Sequence, residues 1–251
     1  MTTYKSYNTA PFMFVNGLGI SNNATTPNTK LDIASGSILD STGTYQLTST
    51  ASITINAANS GLNGLDTGTF AASKVYAVFL VADPVTLQPI GAMLSLSYTA
   101  PLMPFGYSAF ALLGFATTDS AVHFLPGYWT DTDSASRLFM YDAPQATAIT
   151  AGAATSYTAI DLSALVPAIN NLPVWMYSAL TPGAAGRQLF MHPSAATGDA
   201  IIITGQVSAV VVTSNSYLFS RLATGVPKIE YKVSNGGDAA AINVAGYQYS
   251  L

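Results

Sequence analysis

Cysteine is absent from the 251 residues, and charge is scarce: 8 Lys and Arg with 12 Asp and Glu make up 8% of the chain, against about 25% in an average globular domain. The first absence excludes a disulfide framework and a thiolate nucleophile. The second leaves the surface to be covered by Ser, Thr, Asn, Gln and Tyr, or by other subunits. A net charge of −4 supplies no basic stripe to neutralise phosphates, so nucleic acid and anionic lipid are poor partners and none is expected. No Gly-rich phosphate loop opens a helix and no Gly-x-Ser-x-Gly elbow occurs, so no nucleotide cofactor or hydrolase triad is expected. Glu230 is the single Glu, a thin supply of acids for glycoside hydrolysis. The chain is accordingly expected to be no enzyme and to hold no cofactor or metal. The charge-free stretch between Asp83 and Asp119 is broken by Pro84, Pro89, Pro101, Pro104 and Gly106, which excludes a membrane-spanning segment there. No secretory leader is expected from the polar opening residues, and the Asn23-Ala24-Thr25 sequon is read as chance.

What the chain has in quantity is apolar surface, with 49% hydrophobic residues and a mean hydropathy of +0.36, which excludes intrinsic disorder. Its pattern is that of strands. Leu31 to Ile33, Tyr45 to Thr48 and Ile53 to Ile55 alternate at period two, the mark of half-buried strands. Lys74 to Ala82 is a near-continuous run of β-branched and aromatic residues, expected to be a central strand buried on both faces and ended by Asp83-Pro84. Residues 110–125 read as a hairpin about Thr117 to Ser120. Lys228 to Ser234 and Ala241 to Tyr249, joined by Asn235-Gly-Gly-Asp238, read as another. The single helix candidate is Asp161 to Leu165, stopped by Pro167. Short strands at 8–12-residue spacing with Gly, Asn and Asp turns point to an all-β fold of tandem β-sandwich or jelly-roll units behind an extended N-terminal arm. The expected divisions are an anchoring arm over 1–28, carrying Phe12 and Phe14, a first sandwich domain over 29–145, and a second over 146–251.

Lys30 to Gly43, Ile53 to Ala57, Asn63 to Ala72, Val75 to Phe79, and Leu94 through Tyr107 occur in one order. That order resembles a domain of tailed-bacteriophage virion proteins of the tail-fibre or minor structural type, over about residues 30–128. Thr155 to Ser163, Tyr231 to Ser234 and Ile242 to Tyr247 are similar to modules that accompany such domains. The resemblance implies a virion component made in the host bacterial cytoplasm, a fibre or head-decoration protein that self-assembles, as a homotrimer, and contacts other virion proteins. No repeat or sustained heptad of a fibre shaft is present, which leaves a compact head or tail component open. The alternative is a receptor-binding module for host surface glycan.

The residues that point to such binding are Tyr128, Trp129, Asp131 and Asp133, beside Phe124, because an aromatic face packs on a sugar ring while carboxylates accept its hydroxyl protons. Asp131-Thr132-Asp133 also resembles the start of a calcium loop, but the later ligands are missing. His123, expected in a strand, and His192, expected in a turn before Pro193, have no activated Ser beside them and are read as structural. Arg137, Arg187 and Arg221 are candidates for ion pairs between subunits or for ordinary surface charge.

Overall fold

The computed structural model describes residues 15–87, 90–133, 136–143, 146–196 and 198–250, and Phe12 and Phe14 of the expected arm lie outside the described residues. Short alternating segments near the N-terminus form β1 (Val15–Gly17), β2 (Ile20–Asn22), β3 (Lys30–Ile33), β4 (Gly36–Leu39), β5 (Gln46–Ser49) and β6 (Ile53–Asn56). They pair as two three-stranded sheets, β1-β4-β5 and β2-β3-β6. Residues 15–22 of the expected arm are therefore built into these sheets.

The charge-poor middle of the chain supplies β7 (Gly64–Leu65), β8 (Val75–Ala82), β9 (Ile90–Ser95) and β10 (Ala109–Thr117), in the order β10-β8-β9-β7. All eight residues of β8 are buried. Its two faces serve two different cores: Tyr76, Val78, Leu80 and Ala82 pack with Leu18, Ile33, Ile38, Leu47 and Ile55 of the small sheets. Val75, Ala77, Phe79 and Val81 pack toward the C-terminal half. This is the two-sided burial expected from an uninterrupted apolar run. In β10 a bulge between Leu112 and Gly114 inserts one residue against β8, which reverses the side-chain parity. Ala109, Ala111 and Leu113 thus face the small sheets, while Phe115 faces the other way.

The remaining strands are β11 (Gly127–Asp133), β12 (Ser136–Tyr141), β13 (Ala146–Gly152), β14 (Thr158–Asp161), β15 (Leu172–Thr181), β16 (Gln188–Pro193), β17 (Ile201–Thr204), β18 (Val212–Ala223), β19 (Val226–Val233) and β20 (Ala239–Ser250). Their order is β11-β12-β20-β15-β18-β19-β16-β17, with β13 beside β20 and β14 beside β19. β18 belongs to both halves of this system: residues 212–220 pair with β15, and Arg221 to Ala223 pair with β19. The long strand thereby joins two sheets that pack face to face as a β-sandwich, with Val174, Met176, Ile242 and Val244 of one against Leu189, Met191, Ile229 and Val233 of the other. The Ser178 hydroxyl reaches the Met191 sulfur across that layer at 3.5 Å.

Three expectations need correction. No helix is present among the described residues; Leu162 to Val166 closes one buried turn, through Val166 N–H to the Leu162 carbonyl, before Pro167 ends it. The expected hairpin of 228–249 is instead a crossing between sheets, because β19 pairs with β18, β16 and β14 and β20 pairs with β15, β12 and β13. Its turn is held by the buried Asp238 carboxylate, which accepts from Gly183 N–H, the Ser234 hydroxyl and Asn235 N–H. The pairing also divides the chain differently from the expected boundary at residue 145. Residues 136–140 pair with 246–250, so β11 and β12 join the C-terminal sandwich through contacts more than 100 residues apart.

One side chain connects the two halves. Arg137 is 1% exposed, and its guanidinium donates to the Asp131 carboxylate at 2.8 Å, the Gly17 carbonyl at 2.7 Å, the Leu113 carbonyl at 2.8 Å and the Leu18 carbonyl at 3.3 Å. Arg137 therefore forms an ion pair within the chain, not between subunits and not on the surface. Gly17 and Leu18 both have positive φ, 73° and 57°, which turns their carbonyls toward it; a Cβ at Gly17 would stand 2.5 Å from the Ser35 carbonyl oxygen. The Tyr249 hydroxyl also donates to the Leu113 carbonyl; burial pushes its titration up, and the Arg137 charge opposes that. Replacing Arg137 by Met leaves three backbone carbonyls without this donor, so a loss of about 3 kcal/mol is expected in urea unfolding. Arg137→Lys should not restore it, because a single ammonium cannot reproduce a fork of five donors.

Candidate functional site

Successive residues of a strand point to opposite faces, and this decides the fate of the expected aromatic platform on β11. Tyr128 is 52% exposed, whereas Trp129 turns inward onto Phe139, Tyr247 and Tyr249, with ring centroids at 4.9, 5.8 and 5.5 Å. Trp129 is thus part of the seam between the two cores. Phe124 is buried against Phe70. Asp131 accepts from Arg137, and the Asp133 side chain lies outside the described residues. The structure does not bring Tyr128 and Trp129 onto one surface.

A different aromatic surface is present. On β15 the inward residues are Leu172, Val174, Met176, Ser178 and Leu180, so Pro173, Trp175, Tyr177 and Ala179 point away from the core. On the neighbouring β18, Thr213, Asn215, Tyr217 and Phe219 are exposed. The register places Trp175 opposite Tyr217, Pro173 opposite Phe219 and Tyr177 opposite Asn215. Trp175 and Tyr217 have ring centroids 5.8 Å apart with planes tilted by 31°, and Tyr217 meets Phe219 at 6.1 Å. Tyr217 remains 58% and Phe219 45% exposed. These are large apolar groups left facing water on rigid strands, which is the informative departure from ordinary burial.

The flanks of this strip are neutral and polar. Asn215 and Asn243 pair with Tyr177 from its two sides. Beside Trp175, β20 presents Gly246, where an added Cβ would stand 2.6 Å from the Met140 sulfur, so Met140 fills the place of a side chain. At the Pro173 end a groove of about 340 Å3 is lined by Asn170, Asn171, Gln248 and Ser250 with Ile169 and Pro173. Each amide side chain offers both a donor and an acceptor, and the Asn170 side-chain oxygen already accepts Leu222 N–H at 3.2 Å. A second groove, of about 390 Å3 between Thr48 and Thr54, is lined by hydroxyls, Asn63 and Ile90 and has no aromatic ring.

The imidazoles stand elsewhere. His123 lies in the turn after β10, not in a strand, with Asp119 at 3.7 Å. His192 lies within β16, one residue before its end and not in a turn, and is buried under Tyr157, their ring centroids 3.9 Å apart. Its Nδ1 donates to the Pro193 carbonyl at 2.7 Å, and Nε2 is 3.6 Å from Glu230. The Ser194 hydroxyl donates to Glu230 at 2.9 Å. The carboxylate thus stands between Ser and His, the reverse of the order in which an imidazole takes a hydroxyl proton and an acid orients the imidazole.

No family model and no curated protein matches the chain. Among solved structures, a carbohydrate-binding module from Cellvibrio mixtus lichenase 5A, in complex with cellotriose, is similar over 47% of this chain and 84% of that one, at 12% identity and a TM-score of 0.25. A likeness of that size carries no argument about this chain's ligand.

Trp175, Tyr177, Tyr217 and Phe219 were not singled out from the sequence, although the alternation Trp175/Tyr177 and Tyr217/Phe219 marks each pair as sharing one face. What the sequence lacked was which face is inward. The contrast between the two aromatic groups is measurable. Trp129→Ala should cost about 3–5 kcal/mol in urea unfolding. Tyr217→Ala, at an exposed position, should stay within about 1 kcal/mol.

Proposed function

We propose that the chain is a non-enzymatic recognition protein that takes carbohydrate on the outward face of β15 and β18, and that it serves as an attachment component of a tailed-phage-type virion. The observation that carries the first part is the exposed Trp175–Tyr217 pair, continued by Phe219 and bordered by Asn170, Asn171, Asn215 and Asn243. A sugar ring has an apolar C–H face that an aromatic ring covers and an edge of hydroxyls that both donate and accept. Amides satisfy such an edge without the desolvation cost of a charge. Along the strip β15 is hydrogen-bonded to β20 on one side and β18 on the other, and β18 is tied to β19 just beyond Phe219, over Arg221 to Ala223, which limits the ordering entropy lost on binding. The virion assignment is supported by the ordered segments of residues 30–128 that resemble such proteins.

In affinity electrophoresis through gels containing bacterial-envelope polysaccharides, the wild type should be retarded by at least one. Trp175→Ala and Tyr217→Ala should each weaken that retardation about tenfold, in keeping with about 1–1.5 kcal/mol for an aromatic contact. Tyr128→Ala should leave it unchanged. Retardation that depends on Tyr128 and not on Trp175 would return the site to β11.

A second reading, self-assembly, is favoured by a separate feature. The loops that leave β8 and β9 have Val85 87% and Leu102 65% exposed and Phe105 wholly so; Ser108 N–H on the Ala82 carbonyl ties the second loop to the end of β8, and Leu102 N–H is held by Asp66. In a closed homotrimer these side chains pack at the symmetry axis. Light scattering should then give a mass of three 26.0 kDa chains, reduced to one chain by Phe105→Asp with Leu102→Asp. A monomeric wild type would overturn this assembly.

A further inference from the structure

The aromatic strip ends in charge. Two residues beyond Phe219 on the same exposed face of β18 is Arg221, and its cross-strand partner on β19 is Lys228. The chain has only eight Lys and Arg. Arg137 is buried on Asp131, and Lys232 pairs with Asp199 while lying over Tyr157 and Phe190. Arg221 and Lys228, by contrast, make no ion pair among the described residues. Like charges directly opposite each other on a sheet are destabilising; Asp161, opposite Lys228 on β14, offsets part of this for Lys228, whereas Arg221 has no carboxylate as a cross-strand partner among the described residues.

Two carboxylates are near. Asp161 pairs with Lys228 from the far side, on β14, and its Oδ1 accepts Ser163 N–H at 2.8 Å. Glu230, two residues along β19, accepts from Ser194 and Ala195 and faces His192. The Arg221–Lys228 pair stands on the other side. It lies where β18 passes from one sheet to the other, next to Asn170, which holds Leu222 N–H.

We propose that the carbohydrate taken on this face is acidic, its sugar rings lying along Trp175, Tyr217 and Phe219 and its carboxylate received by Arg221 with Lys228. A planar guanidinium matches a carboxylate with two parallel hydrogen bonds, and the neighbouring ammonium adds a point charge. The net charge of −4 repels a polyanion in general, so attraction must be local to this corner. The inference rests on the carbohydrate reading above and adds the class of sugar.

The test is affinity electrophoresis of the full chain through matched gels: polygalacturonate, alginate and hyaluronate, each beside its esterified, uncharged form. The wild type should be retarded more strongly by at least one acidic polymer than by its ester. Arg221→Gln with Lys228→Gln should lower the acidic retardation at least fivefold and leave that by the ester unchanged, and raising the salt should act in the same direction. Trp175→Ala should weaken binding to both forms. If the double variant keeps its acidic retardation while Trp175→Ala loses both, the acidic assignment is overturned and the carbohydrate reading stands. If acidic retardation is lost in the double variant but indifferent to Trp175→Ala, the charges act apart from the aromatic face and the proposal falls. Retardation by no acidic polymer overturns it as well, and retardation by no polymer of either kind removes the carbohydrate reading with it. Both substituted residues lie on the outward face, and circular dichroism confirms that each variant is folded.

Discussion

The guanidinium of Arg137 is the interaction on which the arrangement of the two halves turns. It stands on β12, a strand of the C-terminal sandwich, and reaches the carbonyls of Gly17, Leu18 and Leu113, which belong to the N-terminal sheets and to the central one. A buried charge costs several kcal/mol unless its donors are satisfied, and here Asp131 and three carbonyls satisfy them. The left-handed turn at Gly17 and Leu18 carries its own backbone cost and is what aims two of those carbonyls. The turn thus supplies two of the acceptors that the buried guanidinium needs. Tyr249 on the Leu113 carbonyl and the ring cluster of Phe115, Trp129, Phe139 and Tyr247 close the same seam with apolar area.

The central sheet is the second constraint, because it has no water-facing side to relax into. β8 gives alternate residues to two cores, and the bulge at Leu112 to Gly114 lets β10 do the same after a change of parity. A one-residue slip at either strand would exchange the two sets of side chains. That rigidity passes to the sandwich packed on it, and the sandwich in turn holds the outward rings of β15 and β18 at fixed spacing. The aromatic face is thus a consequence of how completely the inward face is filled. Val174, Met176, Leu180 and Leu218 occupy the core, which obliges Trp175, Tyr177, Tyr217 and Phe219, their sequence neighbours, to face out.

Much of the fold was legible in the residues. The run Lys74 to Ala82 announced a strand buried on both sides, and turn residues at short intervals announced an all-β chain, because period and punctuation are local properties. The hairpin expected over 228–249 shows where local reasoning fails: both strands exist, but they lie in different sheets, since pairing is chosen by the whole core and not by the turn between them. The aromatic cluster at 128–129 fails for a related reason. Adjacent aromatic residues in a strand necessarily diverge, and only the packed core decides which of them remains outside.

The sequence by itself determined the class of structure, its poverty of charge, and the absence of a thiol or phosphate-loop chemistry, because composition and period act on each segment separately. Tertiary structure alone decided that Arg137 is a buried link between halves, that Trp129 is core while Trp175 is surface, and that Arg221 meets Lys228 beside Phe219. Each of these depends on strand register and on which face of a sheet is covered, and both are set by contacts between residues tens to more than a hundred positions apart.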